Sequence, residues 1–537
     1  MSVKEKISRR QFLKNTAVVA GSGVVAAGAI GSFKPASATA APIPEKWDME
    51  ADVIVVGSGP TGLPAAIAAI EKGSSVIVLE QLKEVGGCGV INGGILHIGG
   101  GTRVQKLNGI QDSPDLMFKR LSNYKDHHNK RSDHSILRVF CDYNPGTLDW
   151  LEARGVRFLD SIIGGGAMDS LHQRHPYHNV WWDKEGPGRL SKYGDSFTSG
   201  AGVIKPLEAY AKSKGVKIIL EHKMTKIIRK EGTSGRVLGV EAQTGNKKLF
   251  FRAKKGVILG TGSWKGNKFL RKLFDSRITE DFEATGVPFV NPDGSGIVAG
   301  LEAGAILISD RANDSALFRR MFGTKHYNFP LNSPYGAPGL AMAGSRWGDL
   351  IFINKAGKRF FKEEDIASNG EYSFFDAFFA QEGHVLWTIF DDKAAKKNKW
   401  DIAPPVTEKD CAFSATTLPE LAKRIQVPGD ALSETVQKYN TYMDAGKDLD
   451  FEKPKSLLKS KIENPPFYAA WVSLFVHDTC GGLAINARSQ VLDIYGKVIP
   501  GLYAGGETAG GLEFVGMNRG IILGRIAGEN AAAESPT

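Results

Sequence analysis

Two short apolar runs stand near the start of the chain, Val53-Ile-Val-Val56 and Val76-Ile-Val-Leu79. Four branched apolar residues in succession leave no face of a strand for water, so each run predicts a strand buried on both faces of a parallel sheet. Between them lies an Ala-rich stretch of helical length, and the whole reads as a β-α-β unit. A second α/β stretch is predicted as a helix from Val203 to Lys214 and strands at 216–220, 226–229, 236–242 and 248–251. A further strand, from Gly256, ends in Thr261-Gly262. Between about Asp310 and Phe475 the pattern turns aromatic-rich and mixed, and from Val476 glycine-rich α/β sequence returns and ends in an Ala-rich helix. The fold class is α/β, with an α+β domain inserted into the first.

The turns between these elements carry the candidate chemistry. Gly57, Gly59 and Gly62 form G-x-G-x-x-G after the first strand, with Pro60 and Thr61 inside the turn. Gly57 permits a tight turn, Gly59 lets backbone approach a pyrophosphate, and Gly62 lets helix and strand pack closely. The helix N-terminus adds N–H donors and a positive dipole. Glu80, at the end of the second strand, is placed to hold a ribose hydroxyl. Gly86, Gly87, Cys88, Asn92, Gly93 and Gly94 follow, a density of glycine that predicts backbone packed against a flat ligand. Thr261 and Gly262 sit at the carboxyl end of a strand, and Asp293-Gly294 opens another helix. No second complete glycine fingerprint with a ribose acid occurs, which favours a bound flavin over a separate NAD domain.

Composition narrows the picture further. The 537 residues, 42% apolar and 23% charged, suit a large globular core. Residues 1–40 read as a twin-arginine signal, with Arg9-Arg10-Gln-Phe-Leu-Lys14, a weakly apolar run and small residues for cleavage. That run is interrupted by Gly21, Ser22 and Gly23 and spans a bilayer poorly, so the protein is expected in the periplasm, exported folded and not membrane-spanning. Removing it lowers the formal charge from +10 to about +5, spread along the chain, which gives no nucleic-acid signature. Cys88, Cys141, Cys411 and Cys480 are too far apart for a redox pair, zinc or covalent haem. His172, His175 and His178 are separated by Pro176, which breaks the helix needed to converge them, so no metal is expected.

Jointly, Gly57-x-Gly-x-x-Gly62 with Glu80, Gly86-Gly87, Gly93-Gly94, Thr261-Gly262, Asp293-Gly294, Gly357-Lys-Arg-Phe360, His477-x-Thr-x-Gly-Gly482, Gly501-Leu-Tyr-Ala-Gly-Gly-Glu507 and Asn518-Arg519 resemble the fumarate reductase/succinate dehydrogenase flavoprotein superfamily. That superfamily also holds ketosteroid dehydrogenases and urocanate reductases, and the likeness is to the flavocytochrome c type without its haem domain. It implies a Rossmann-like FAD-binding domain from 45–310 and 477–535, with a capping domain at 311–476. Glu507 would contact the ribityl or ribose region, and the helix beginning near Asn518 would point its positive end at the flavin. The covalent histidine of succinate dehydrogenases falls on or beside Gly87, so FAD is expected to be noncovalent.

Reduction of an α,β-unsaturated acid by flavin hydride builds negative charge on Cα and the carboxylate, which requires a fixed cation and a nearby acid. Arg519 can clamp a carboxylate and His477 can add a donor. Two family residues are missing: Ile308-Ser-Asp-Arg311 replaces a His-Pro-Thr segment, and Ala367 stands where an arginine donates the proton. Fumarate is thereby disfavoured against an acrylate or arylacrylate. Tyr372 is the candidate acid and Arg346 its alternative. A separate periplasmic cytochrome c is the expected electron donor. Two alternatives stand beside this reading, a ketosteroid-type dehydrogenase acting on a cyclic ketone and a flavin protein without catalysis.

Overall fold

The computed structural model describes residues 43–91, 96–122, 132–163, 177–180, 200–274, 276–278, 283–284, 290, 292–308, 318–323, 347–363, 374–398, 412–513 and 516–537. All of them belong to one compact unit, Ala41–Thr537.

The first apolar runs form the centre of an eight-stranded sheet. Strand β1 (Met49–Val56) leads into helix α1 (Gly62–Glu71) and strand β2 (Val76–Leu79), and β1 and β2 pair in parallel. Val53 and Val55 pack with Leu63, Ala66 and Ile67 of α1, while Ile54 and Val56 face the opposite core. Burial on both faces is why the run never alternates with polar residues. On the other side of β1 lies strand β3 (Lys247–Leu259), parallel to it.

The sequence suggested two strands where β3 is one, 13 residues long. Its first half pairs antiparallel with Ser234–Thr244 and its second half runs beside β1; Arg252 and Ala253 stay in the ladder, while Lys254 and Lys255 fall at a register shift opposite Asp52. A basic interior is tolerated because side chains alternate across a strand, Ala253 buried and its neighbours partly exposed.

Strand β4 (Phe467–Thr479) is the hub of a second, six-stranded sheet. It pairs antiparallel with Phe318–Gly323, Leu386–Asp391 and Ala412–Ala415, and parallel with Glu283–Ala284. The chain is thus a Rossmann-like α/β domain with an inserted α+β cap, and β4 runs from the cap sheet back toward the first.

The cap is centred on buried charge. Arg359, from the Lys-Arg-Phe motif, donates to Glu363 at 3.0 and 2.5 Å and to Asp448 at 3.1 and 2.8 Å. Lys453 lies 3.5 Å from Glu363 and donates to the Leu350 carbonyl at 3.0 Å. Tyr439 and Phe451 stack on Arg359, and Tyr439 also on Lys453. Removing one partner of such a set strands a buried charge, at a cost of about 3–5 kcal/mol.

The sheet returns through Gln490–Leu492 and strand β5 (Val498–Ala504), which pairs in parallel with β3. Val56 and Ala504 both register with Leu259, so β1, β3 and β5 end at one level. Helix α2 (Met517–Ala532) closes the chain. Gly520, Gly524 and Gly528 recur every four residues along one face of it. A Cβ on Gly524 would stand 2.2 Å from the Thr61 carbonyl oxygen, and one on Gly528 2.2 Å from that of Ala65. The contacts advance together along both helices, since Gly520 meets Pro60 and Thr61. Helices α1 and α2 therefore run in the same direction, and their positive ends open at one place.

Two predictions follow from these packings. Gly524→Ala should force the helices apart at a cost of about 1–3 kcal/mol, seen as a fall of about 1–3 °C in thermal midpoint. Burial pulls the Lys453 ammonium down to about 8, against the raising influence of Glu363. Between pH 8 and 10.5 the unfolded chain then binds the proton that the folded chain has lost, so stability rises with pH across that window. Lys453→Met abolishes the rise: the stability gap between wild type and variant should shift in favour of wild type by up to about 3 kcal/mol over the window, by urea midpoints at stepped pH.

Candidate cofactor and substrate site

The ends of β1, β3 and β5 and the starts of α1 and α2 meet in a glycine-lined cleft. Its glycines divide into two kinds. Gly57 and Gly62 are kept for packing: a Cβ on Gly57, at φ +94°, would sit 2.4 Å from the Gly260 carbonyl oxygen, and one on Gly62 would sit 1.8 Å from that of Gly57. Gly59 is different, because a Cβ there meets nothing nearer than the Gly86 carbonyl oxygen at 3.5 Å. Gly87 and Gly262 have no atom of the described residues within 4 Å of that position. Space left beside backbone in this way is room for a ligand.

Glu80 is 5% exposed and joins the loop to β2. Its Oε2 accepts from the Ser58 amide at 2.9 Å and the Ser58 hydroxyl at 2.6 Å, and its Oε1 accepts from the Leu82 amide at 2.9 Å. The Ser58 hydroxyl in turn accepts from the Gly86 amide at 3.2 Å. Ser58 was not singled out from the sequence, although it occupies a variable position of the fingerprint. Cys88 begins the short helix Cys88–Ile91, half-buried behind Gly87.

On the far side, Thr508 accepts from the Gly262 amide at 2.9 Å and lies 3.2 Å from the Thr261 hydroxyl, clasping the end of β3 to the turn after β5. Glu507 Oε1 accepts from the Thr479 amide at 2.8 Å and lies 3.2 Å from its hydroxyl. Asp293 accepts from the Ser295 amide at 2.9 Å and pairs with Lys223 at 2.6 Å, so its carboxylate caps a helix and binds a surface lysine. Burial raises its pKa, but Lys223 and Ser295 outweigh this and hold it below the ordinary value.

At the start of α2, Asn518 donates to the His97 carbonyl at 2.6 Å, and its Oδ1 is buried with no partner among the described residues. Arg519 is 1% exposed and has no carboxylate partner among them either. It donates to the carbonyls of Thr479 at 3.0 Å, Cys480 at 3.4 Å and Ala509, and its Nε is buried with no acceptor among the described residues.

The family model described as FAD binding domain matches residues 52–521, nearly the whole described chain. The chain belongs to the fumarate reductase/succinate dehydrogenase flavoprotein superfamily. It is similar to "Fumarate reductase (cytochrome)" of Shewanella frigidimarina, 30% identical over 90% of this chain and 77% of that protein. It is also similar to "Acrylate reductase flavoprotein subunit" of Shewanella woodyi, 27% identical over 96% of this chain and 95% of that one. Among solved structures, the open conformation of a flavocytochrome c3 fumarate reductase shares the fold, with a TM-score of 0.70 at 24% identity, covering 99% of this chain and 82% of that one.

FAD is the cofactor of this flavoprotein, an oxidoreductase, and the cleft fits it. The open positions beside Gly59, Gly87 and Gly262 leave room for a long flat ligand, and the N-terminus of α1 favours its pyrophosphate while that of α2 favours an electron-rich edge of its ring. The unspent Asn518 Oδ1 and Arg519 Nε await a donor and an acceptor. Asn92, Gly93, Gly94, Arg346 and Tyr372 lie outside the described residues, and His477 is placed on β4. Cys88, Cys141 and Cys480 form no disulfide, and burial pushes the Cys141 thiol up to about 12. Among the described residues no metal-binding group of three occurs, and no helix is long and apolar enough to cross a membrane.

Glu80 holds the empty loop as well as any ribose. Glu80→Ala leaves the Ser58 donors buried and unpaired, worth about 1–3 kcal/mol. The thermal midpoint of the FAD-free protein should therefore fall along with FAD affinity, whereas a mere ribose contact would leave the FAD-free midpoint unchanged.

Proposed function

We propose that this flavoprotein reduces the C=C bond of a small α,β-unsaturated carboxylic acid of acrylate or arylacrylate type. One observation carries the reading. Arg519 is a buried cation in the first turn of α2, where the helix dipole is already positive, and it has an unspent N–H and no carboxylate among the described residues. Such a group is unfavourable alone and favourable beside an anion. The full-length likeness to an acrylate reductase subunit agrees with that charge.

Bound FAD supplies the hydride. The chain must supply a cation for the carboxylate, as charge grows there, and a proton for Cα. Arg519 takes the first role through its Nε edge, with His477 as a further donor from the end of β4. Tyr372, or Arg346 in its place, takes the second. The cap, 311–476, closes over the substrate, and FAD is held noncovalently by 45–310 and 477–535, with Gly87 standing where a covalent histidine would be. Export by the twin-arginine route, and a periplasmic cytochrome c as electron donor, complete the reading.

A ketosteroid-type reaction on a cyclic ketone is the second reading, favoured by the three carbonyl bonds of Arg519, which give that residue a purely structural task. An anaerobic panel separates the two. Dithionite-reduced protein is mixed with enoate, fumarate, urocanate and enone while flavin absorbance is followed. Rapid reoxidation by the monocarboxylates is expected, and Arg519→Met should lower kcat/KM for them by about 100-fold, the scale of a lost buried charge partner. Turnover of an enoate by the FAD-loaded variant at the wild-type rate would sink the carboxylate role.

A further inference from the structure

Thr479 is fully buried at the end of β4, and each of its polar atoms is engaged. Its amide donates to Glu507 Oε1 at 2.8 Å. Its hydroxyl lies 3.2 Å from the same oxygen and 3.0 Å from the Ser263 hydroxyl. Its carbonyl accepts from Arg519 at 3.0 Å. Among the described residues Thr479 is the only donor to Glu507, whose side chain is half-buried at the rim of the cleft. With Oε1 taken up by two donors from one residue, the carboxylate is fixed in rotation and Oε2 is left for a ligand.

We infer that Thr479 is a positioning residue for cofactor binding: anchored by Arg519, it orients Glu507 toward a hydroxyl of the ribityl or ribose chain. The inference rests on Glu507 being an FAD contact. It adds that the cap sheet, whose hub strand ends at Thr479, helps set the grip on a cofactor bound mainly by the other domain. The hydroxyl of Thr479 has one proton to give, and Ser263 competes with Glu507 for it; the Ser263 oxygen also accepts from the Lys265 amide at 3.0 Å. Of the three residues, Glu507 alone reaches the rim, so the proton matters to the ligand only when it points there.

The test is FAD affinity of the FAD-free protein, read by quenching of flavin fluorescence on titration, with no substrate needed. Thr479→Val keeps the shape and both backbone bonds but removes the hydroxyl, and should raise the Kd about tenfold, on the scale of one hydrogen bond to a charged group. Thr479→Ser restores the hydroxyl and should stay within about twofold of wild type. Glu507→Ala should raise the Kd as well, and adding Thr479→Val to it should cost nothing more, because the threonine acts through the carboxylate. Additive losses, or a Thr479→Val protein with wild-type affinity while Glu507→Ala is weakened, overturn the positioning role. Unchanged affinity in Glu507→Ala overturns the FAD contact itself and the inference with it. Should Thr479→Val fail to fold, Ser263→Ala decides. It frees the proton for Glu507 and should lower the thermal midpoint without raising the Kd, and a raised Kd counts against the proposal.

Discussion

The close approach of two helix backbones is the constraint on which the site depends. Helix α2 can lie against α1 only because Gly520, Gly524 and Gly528 present no side chain where atoms of Thr61 and Ala65 would stand at 2.9, 2.2 and 2.2 Å from a notional Cβ. Any larger residue moves the helices apart. Their parallel course brings two positive helix ends to the level at which β1, β3 and β5 stop, and a cleft for an anionic ligand is the consequence. Gly57 and Gly62 do the same for α1 against β1 and β3, so most of the glycine around the cleft serves contact between protein segments. Gly59, Gly87 and Gly262 meet no such close neighbour among the described residues.

The cap is held by different physics. Its first sheet neighbours are apolar, yet its centre is an ionic set in which Arg359 serves two carboxylates and Lys453 a third contact. Such a set contributes little net stability over an apolar core, but losing any one member leaves a buried charge unpaired, so its members are retained together. It joins the turn after Ile351–Asn354, the helix Gly429–Ala445 and the loop near Asp448. From that frame β4 emerges toward the cleft, so its end at Thr479 is fixed from two directions, by cap pairing and by Arg519.

The β1-α1-β2 unit was legible in the sequence because its burial is two-sided and its turn residues have specific backbone tasks. Strand β3 was read as two pieces, since charges at Arg252, Lys254 and Lys255 interrupt the apolar pattern, whereas the strand carries them through a register shift beside β1 and continues. The Lys-Arg-Phe motif was visible, but its partners Asp448 and Lys453 lie about ninety residues on, and no local pattern links them. Ser58, Ser263 and Thr508 were missed for a related reason. A hydroxyl is common in any turn, and only the fold shows which carboxylate or amide it meets. Asp293 was singled out for its glycine-rich turn, but its pairing with Lys223, seventy residues away, has no local signal either.

In the proposed reading, Arg519 combines a structural duty with a chemical one in a single side chain. Three of its five N–H groups tie carbonyls of Thr479, Cys480 and Ala509, which fixes the guanidinium plane. A clamp so fixed would lose little conformational freedom on meeting an anion, which is where affinity would be gained. The contact to Cys480, at 3.4 Å, is the weakest of the three and shares the Nη2 edge with the unspent Nε. A carboxylate approaching side-on would replace that one weak bond and satisfy the buried Nε in the same step. The two stronger bonds would stay, so the strut and the clamp need not compete.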